Sequence, residues 1–450
     1  MSAAAIAGHE TSLPPTAPPP EKRESLRASF LRVSAGYAVY AFAQWATVAV
    51  LAKLGTAELV GQYAFAVALI TPVLMLAQTN LRSLLATDVT GQHPFRDYRN
   101  LRFLTLTLGM IVIAVLAAQK TLFGPTPSTD RFWVIVLVGL IQAGEWVADI
   151  YYGRMQQSER TSRMAPSLIA RGTLGILALA VTLRLTHSLV AALLCAFLFR
   201  TLVYFVYDST IGMRGIAEVL PAKFAQPDRQ EQARVQWSIF KQALPLGVVL
   251  MLGALVTNTP RYFLAAHNGE RALGIFSAIF SLATAGNLVV TSLGQSAVPK
   301  LARLYTSGDV PGFQSLSFKI AGLGAGLGLL GIAGVLLMGR WAVSLLYRPE
   351  YAQQQDFLLA AVAAAGIGFA ASLLGYSITA ARRFKEQMPL QVGCLAGTAL
   401  VAYFLVPRLG LVGAALSVGI GSLIQFLGEA WILRNVLVSM RHTLTAGVRA

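Results

Sequence analysis

The chain has 450 residues, of which 55% are hydrophobic and only 12% charged, with a mean hydropathy of +0.61. A soluble protein carries roughly 25% charge to cover its surface, so this composition excludes a soluble enzyme, a secreted disulfide scaffold and a disordered regulator, and leaves lipid as the solvent. The 36 Lys and Arg exceed the 20 Asp and Glu by 16. In a soluble chain that excess would suggest nucleic acid. In an apolar one it is the mark of basic cytoplasmic loops, and no nucleic-acid partner is expected. Cys195 and Cys394 lie far apart inside apolar runs, with neither a CxxC motif nor metal spacing, so neither metal nor cofactor is expected.

Residues 1–27 are polar and proline-rich, with five prolines between Pro14 and Pro20. They read as a disordered cytoplasmic tail, because they lack the apolar content to pack. After the tail come twelve apolar runs, each long enough to cross about 30 Å of hydrocarbon at about 1.5 Å per residue: 33–52, 60–80, 103–122, 132–153, 166–185, 187–207, 238–259, 273–294, 318–338, 357–379, 388–406 and 411–433. Period-2 alternation is absent, which predicts helices and an all-α polytopic membrane protein. With the N-terminus placed inside, 26 basic residues fall on the inner side, nine on the outer side, and Arg200 lies within a run. That asymmetry predicts that both termini are cytoplasmic.

The longest inner connection, 208–237, separates two sets of six runs. The expected organisation is therefore a tail 1–27, a six-helix bundle 28–207, a linker 208–237, a second bundle 238–435 and a short tail 436–450. Leu51…Gly61-Gln-Tyr63-Ala and Leu264…Gly274-Ile-Phe276-Ser match at a shift of 213, and Pro166/Pro389 and Ala191/Ala414 match at 223. Six is even, so the halves would be parallel repeats about an axis along the membrane normal, an arrangement found in transporters.

Thr259-Pro-Arg261-Tyr-Phe-Leu264…Gly274-Ile-Phe276-Ser-Ala278 and Pro407-Arg-Leu-Gly410-Leu-Val-Gly413-Ala-Ala415 resemble the polysaccharide-transporter branch of the multidrug/oligosaccharidyl-lipid/polysaccharide flippase superfamily. In this chain Pro260 stands where that branch usually has an acid. The resemblance covers about 30–440. It implies two six-helix bundles forming a V around a central cavity in a bacterial inner membrane. It also implies translocation of a lipid-linked oligosaccharide by alternating access for surface polysaccharides such as O-antigen, lipopolysaccharide or exopolysaccharide. Membrane lipids, a polysaccharide polymerase and chain-length machinery are the implied partners.

Charges within spans are costly and point to a cavity. Gln142, Glu145, Asp149 and Tyr152 share one face of the fourth span. Glu145 and Asp149 are candidates for ion coupling, and Gln142 and Tyr152 for sugar contact; the alternative is a structural salt bridge to a neighbouring helix. Arg171 and Arg200 offer paired donors for pyrophosphate, unless they snorkel to the inner interface. Arg261, at the expected outer end of the seventh span, could bind an arriving headgroup. Arg82 is expected to anchor the second span, and Glu429 to pair with nearby arginines. Ser277, Ser281, Thr284, Asn287 and Thr291 form a polar face on the eighth span, which either packs or lines water. Gly322–Gly328 has the spacing of close helix packing.

Two other classes fit less well. A multidrug or cation antiporter, or a peptidoglycan-precursor flippase, belongs to the same superfamily, and the second typically has fourteen spans. A polytopic glycosyltransferase or polymerase would present acids on a large outer loop, whereas the outer loops here are short and lack paired carboxylates. The chain is therefore not expected to be an enzyme.

Overall fold

A computed structural model describes residues 26–88, 93–123, 127–216 and 229–447. Most of the proline-rich tail, residues 217–228 of the linker and the last three residues lie outside the described residues. The chain forms α1 (Leu26–Leu54), α2 (Ala57–Gln78), α3 (Leu81–Thr87), α4 (Phe95–Thr121), α5 (Thr129–Gln157), α6 (Met164–Thr186), α7 (Leu189–Val203), α8 (Arg229–Ala283), α9 (Asn287–Thr306), α10 (Val310–Leu346), α11 (Pro349–Ala352), α12 (Gln355–Ala380) and α13 (Phe384–Gly447). There is no strand among the described residues. Several helices start where a side chain takes up an orphan N–H: Thr56 accepts from Leu59, Ser128 from Arg131, Ser188 from Ala191 and Asp309 from Gly312.

Among the described residues ten helices are long and apolar enough to cross a membrane, and two of these run to 54 and 56 residues. A straight helix of that length would be about 80 Å long, far beyond the hydrocarbon. Each bends at a glycine in the left-handed region, Gly269 (φ 79°) and Gly410 (φ 52°), a conformation that costs other residues. Two folded helices among ten give twelve crossings. The eighth is broken: the second arm of α8 ends at Ala283, and α9 resumes it at Asn287.

The helices sort into two lobes. In the first, α1 packs on α6, α6 on α7, and α5 on α2, α4 and α7; in the second, α12 packs on α9, α10 and α13. The main seam between them is α2 against α8. The first arm of α8 climbs antiparallel along α2: Gly247 lies against Leu76 and Thr79, and the Tyr262 hydroxyl donates to the Ala68 carbonyl. The small-residue spacing on α10 serves close packing, with Gly324 against the Phe369 and Ala370 backbone and Gly328 against Gly366.

Helix extends past the expected boundaries. Residues 229–237, read as linker, are the first turns of α8, because Val235, Ile239 and Phe240 pack with Leu81, Phe95 and Tyr98. Residues 436–447 continue α13, held by buried Val436, Leu437 and Met440.

Candidate functional site

The expected polar stripe on α5 is the centre of two ion-pair networks. Glu145 is shared by two arginines: Arg200 Nη1 donates to Oε1 at 2.8 Å and Arg171 Nη1 to Oε2 at 3.2 Å. Arg171 also donates to the Gly144 carbonyl at 3.1 Å, and its Nε lies 3.7 Å from Asp208. Arg171 is 1% and Arg200 6% exposed, and Asp208 is fully buried, so both guanidiniums are held inside the protein by carboxylates. Gly175 of α6 makes room for Arg200, since a Cβ there would stand 2.3 Å from its Nε. Tyr40 of α1 stands beside Glu145. Gln142 lines a narrow cavity with Glu145, Arg200, Gln44, Thr47 and Tyr63.

One helical turn further along α5, Asp149 accepts from Arg82 Nη1 at 2.9 Å and lies 3.8 Å from Arg102 Nη2. Arg82 also donates to the Tyr37 hydroxyl at 2.9 Å and sits over the Tyr152 ring. It is thus an internal partner of α5, not a membrane anchor. Arg102, fully buried, donates to the Gln78 carbonyl where α2 ends in left-handed Thr79 and Asn80; it satisfies an orphan carbonyl there. Tyr152 is buried, with its hydroxyl 2.7 Å from Ser167 Oγ. Four guanidiniums (Arg82, Arg102, Arg171, Arg200) thus face three carboxylates (Glu145, Asp149, Asp208), leaving one positive charge in excess.

Arg261 lies elsewhere, on the first arm of α8. The helix runs on to Gly269, so Arg261 is inside it and does not close it. It donates to Asn258 Oδ1 at 2.6 Å, its Nε has no partner, and it makes no ion pair among the described residues. Glu429 departs from the expectation that it pairs with arginines. Its polar partner is Gln425 at 3.0 Å, because Arg434, the nearest arginine on its helix, points outward. The polar face of the eighth span is divided by the break at 284–286: Ser277 is buried, whereas Asn287 and Thr291 are exposed. Among the described residues no group of three His, Cys, Asp or Glu could hold a metal ion.

The lobes are tied at the end that carries Gly269, here termed the upper end. Arg131 pairs with Glu270 at 2.8 Å, Gln62 donates to Glu270 at 3.0 Å, and Arg271 pairs with Glu58 at 3.4 Å. Lys53 donates to the carbonyls of Leu345 and Tyr347, and Arg348 to that of Lys53.

Two lobes of six membrane-length crossings, with buried ion-pair clusters in the first, make a polytopic membrane protein. No protein-family model matches the chain. It is 25% identical to the capsular polysaccharide biosynthesis protein CapF of Staphylococcus aureus over 394 residues, 86% of this chain and 94% of that protein. It is also 25% identical to the lipid III flippase of Escherichia coli (strain K12) over 319 residues, 70% and 73% of the two chains. Its fold matches an inward-facing multidrug resistance MATE transporter of the MOP superfamily at a TM-score of 0.70, with 13% identity, covering 92% of this chain and 99% of that one. The lipid II flippase MurJ in an inward closed conformation matches at 0.67, with 10% identity, covering 91% and 90%. The chain is thus similar in sequence to CapF and to the lipid III flippase, and it is a multi-pass membrane protein with the two-lobed fold of the MATE and MurJ structures.

Proposed function

We propose that the protein is a bacterial inner-membrane flippase that moves a polyprenyl-pyrophosphate-linked oligosaccharide to the outer leaflet for surface polysaccharide synthesis. Units 28–207 and 238–435 rock about the α2–α8 seam, both termini are cytoplasmic, and the upper end faces outside. The observation that carries this reading is the arginine surplus inside the helical lobes. Four arginines face three acids in the first lobe, and Arg261 stands without an acid in the second. A pyrophosphate headgroup carries about two negative charges and loses several kcal/mol on leaving water unless cations receive it. Guanidinium groups present paired donors to its oxygens.

Arg261 is the first phosphate contact in this scheme, because no carboxylate has to be displaced from it. Arg171 and Arg200 reach substrate by exchanging away from Glu145. Gln142 and Tyr152 face the sugar. Glu145 and Asp149 each lie between two arginines, so an inorganic cation arriving at either frees a guanidinium. The likeness to CapF over nearly both full lengths supports a capsule or related glycan, made with a polymerase and chain-length machinery as partners.

The test is reconstitution of the full-length protein in vesicles with a fluorescent polyprenyl-pyrophosphate oligosaccharide. Wild type should bring the probe from the inner leaflet within reach of an external reductant, and Arg261→Ala should slow this at least about tenfold, the cost of one charge-assisted contact. Uptake of an organic cation without movement of the lipid would favour a multidrug antiporter instead.

A further inference from the structure

Glu429 is the buried acid of the second lobe that no arginine answers among the described residues. It sits on the second arm of α13 and is 6% exposed, with Ile432 and Leu433 buried just beyond it. Gln425 Nε2 donates to Oε1 at 3.0 Å, while Oε2 is buried with no hydrogen-bond partner. Across the interface α12 offers bare backbone at Gly375, where a Cβ would lie 2.9 Å from Glu429 Oε1. The first arm of α13 packs Leu390 against Gly428 and presents one titratable neighbour, the buried thiol of Cys394. No lysine, arginine or histidine pairs with Glu429 among the described residues. Glu145 is the contrast: two guanidiniums donate to it, one to each oxygen.

We propose that Glu429 is a proton-binding site of the second lobe, holding its proton while α12 and the two arms of α13 enclose it and releasing it when they part. An anionic oxygen left unpaired in such surroundings costs far more than a neutral hydroxyl. The buried carboxylate therefore takes one proton from water, and no other bond changes. Gly375 supplies the notch in which the neutral acid fits, so the site closes only when α12 and α13 are seated. In the transport cycle this makes the second lobe the proton carrier and leaves the first lobe's arginine network to the substrate. That coupling role rests on the flippase reading, whereas the protonation itself does not.

Two measurements on the full-length protein in vesicles separate the claims. Infrared spectra at neutral pH should contain a protonated-carboxyl band that Glu429→Gln removes and Glu145→Gln leaves in place. Identical spectra for wild type and Glu429→Gln overturn the proposal whether or not the protein transports lipid. With a polyprenyl-pyrophosphate monosaccharide as probe, wild type should distribute it with a bias of about tenfold for each unit of pH gradient. Glu429→Gln should equilibrate it without bias. Wild-type movement that ignores the gradient overturns the coupling. No movement at all would count against the flippase reading, with the carboxyl band still deciding the proton site.

Discussion

Gly61 and Gly274 make the same contact from opposite lobes. A Cβ on Gly61 would lie 1.9 Å from the carbonyl oxygen of Glu270, and one on Gly274 would lie 1.8 Å from that of Ala57. Gly274 follows Gly61 by 213 residues and Glu270 follows Ala57 by the same number, so the shift that aligns the two halves carries one contact onto the other. The two motifs cross where the lobes meet. Either Gly61→Ala or Gly274→Ala has to push backbone away, which by the usual cost of overpacking should lower stability by about 1–3 kcal/mol. The double variant should cost less than the sum, since both act on one crossing. Thermal unfolding of the purified protein in detergent measures both.

That crossing was half legible in the sequence. Gly-x-aromatic recurs at the shift, but nothing in a hydropathy profile says that Gly61 meets Glu270. The same limit recurs at the site. The α5 stripe from Gln142 to Tyr152 could be read from helical period alone, because its members share one helix. Its partners could not. Arg102 looked like loop charge, Asp208 fell in the linker range, and Tyr40 was one more aromatic in an apolar run. Arg200 was found because it interrupts a run, and the Gly175 that houses it was not. Glu429 failed for a related reason: sequence distance to Arg434 says nothing of the direction in which each side chain points.

The shared carboxylate of Glu145 predicts a particular pattern of losses. Glu145→Gln leaves Arg200 without an anion and Arg171 with only the more distant Asp208, and should cost about 3–5 kcal/mol, the usual penalty of breaking a buried pair. Arg200→Ala leaves Arg171 on Glu145 and should cost less. Adding Arg200→Met to Glu145→Gln should recover part of the loss, because one stranded cation is gone. Unfolding midpoints of the three variants test the order. Equal losses for all three would mean that the pairs act independently.

At the upper end Arg131 and Glu270 remain 37% and 27% exposed at the side chain, so each tie is worth no more than about 1 kcal/mol and the closure rests on several together. Arg131→Glu sets two like charges face to face and should loosen that end. With Cys195 and Cys394 replaced, a Phe65→Cys reporter in the cleft lined by Gln62, Arg131 and Glu270 should then react several-fold faster with a water-soluble maleimide. Adding Glu270→Arg restores the pair with its sign reversed and should slow labelling again. Raising the salt should speed labelling in the wild type more than in Arg131→Glu, since screening weakens an attraction only where one exists.

Orientation is the remaining expectation, and the burial of particular arginines sharpens it. Arg102 and Arg171 were counted among the 26 inner charges and Arg261 among the nine outer ones, yet all three lie within helices. Setting them aside leaves 24 against 8, so the three-to-one bias does not depend on them. The rule acts on charges near the ends of spans, and among those that remain are Arg382 and Arg383 just after α12, Arg154 in the last turn of α5, Arg160 and Arg163 between α5 and α6, and Lys53, Arg271 and Arg348 at the upper end. In intact cells of a strain carrying the cysteine-free protein, Asn268→Cys, beside the Gly269 bend and exposed, should react with an impermeant maleimide. Arg229→Cys, at the start of α8, should react only after the membrane is opened. The reverse pattern would place both termini outside. It would also turn the ties at Arg131, Arg271 and Lys53 into a cytoplasmic closure, so that the state described here would open to the outside.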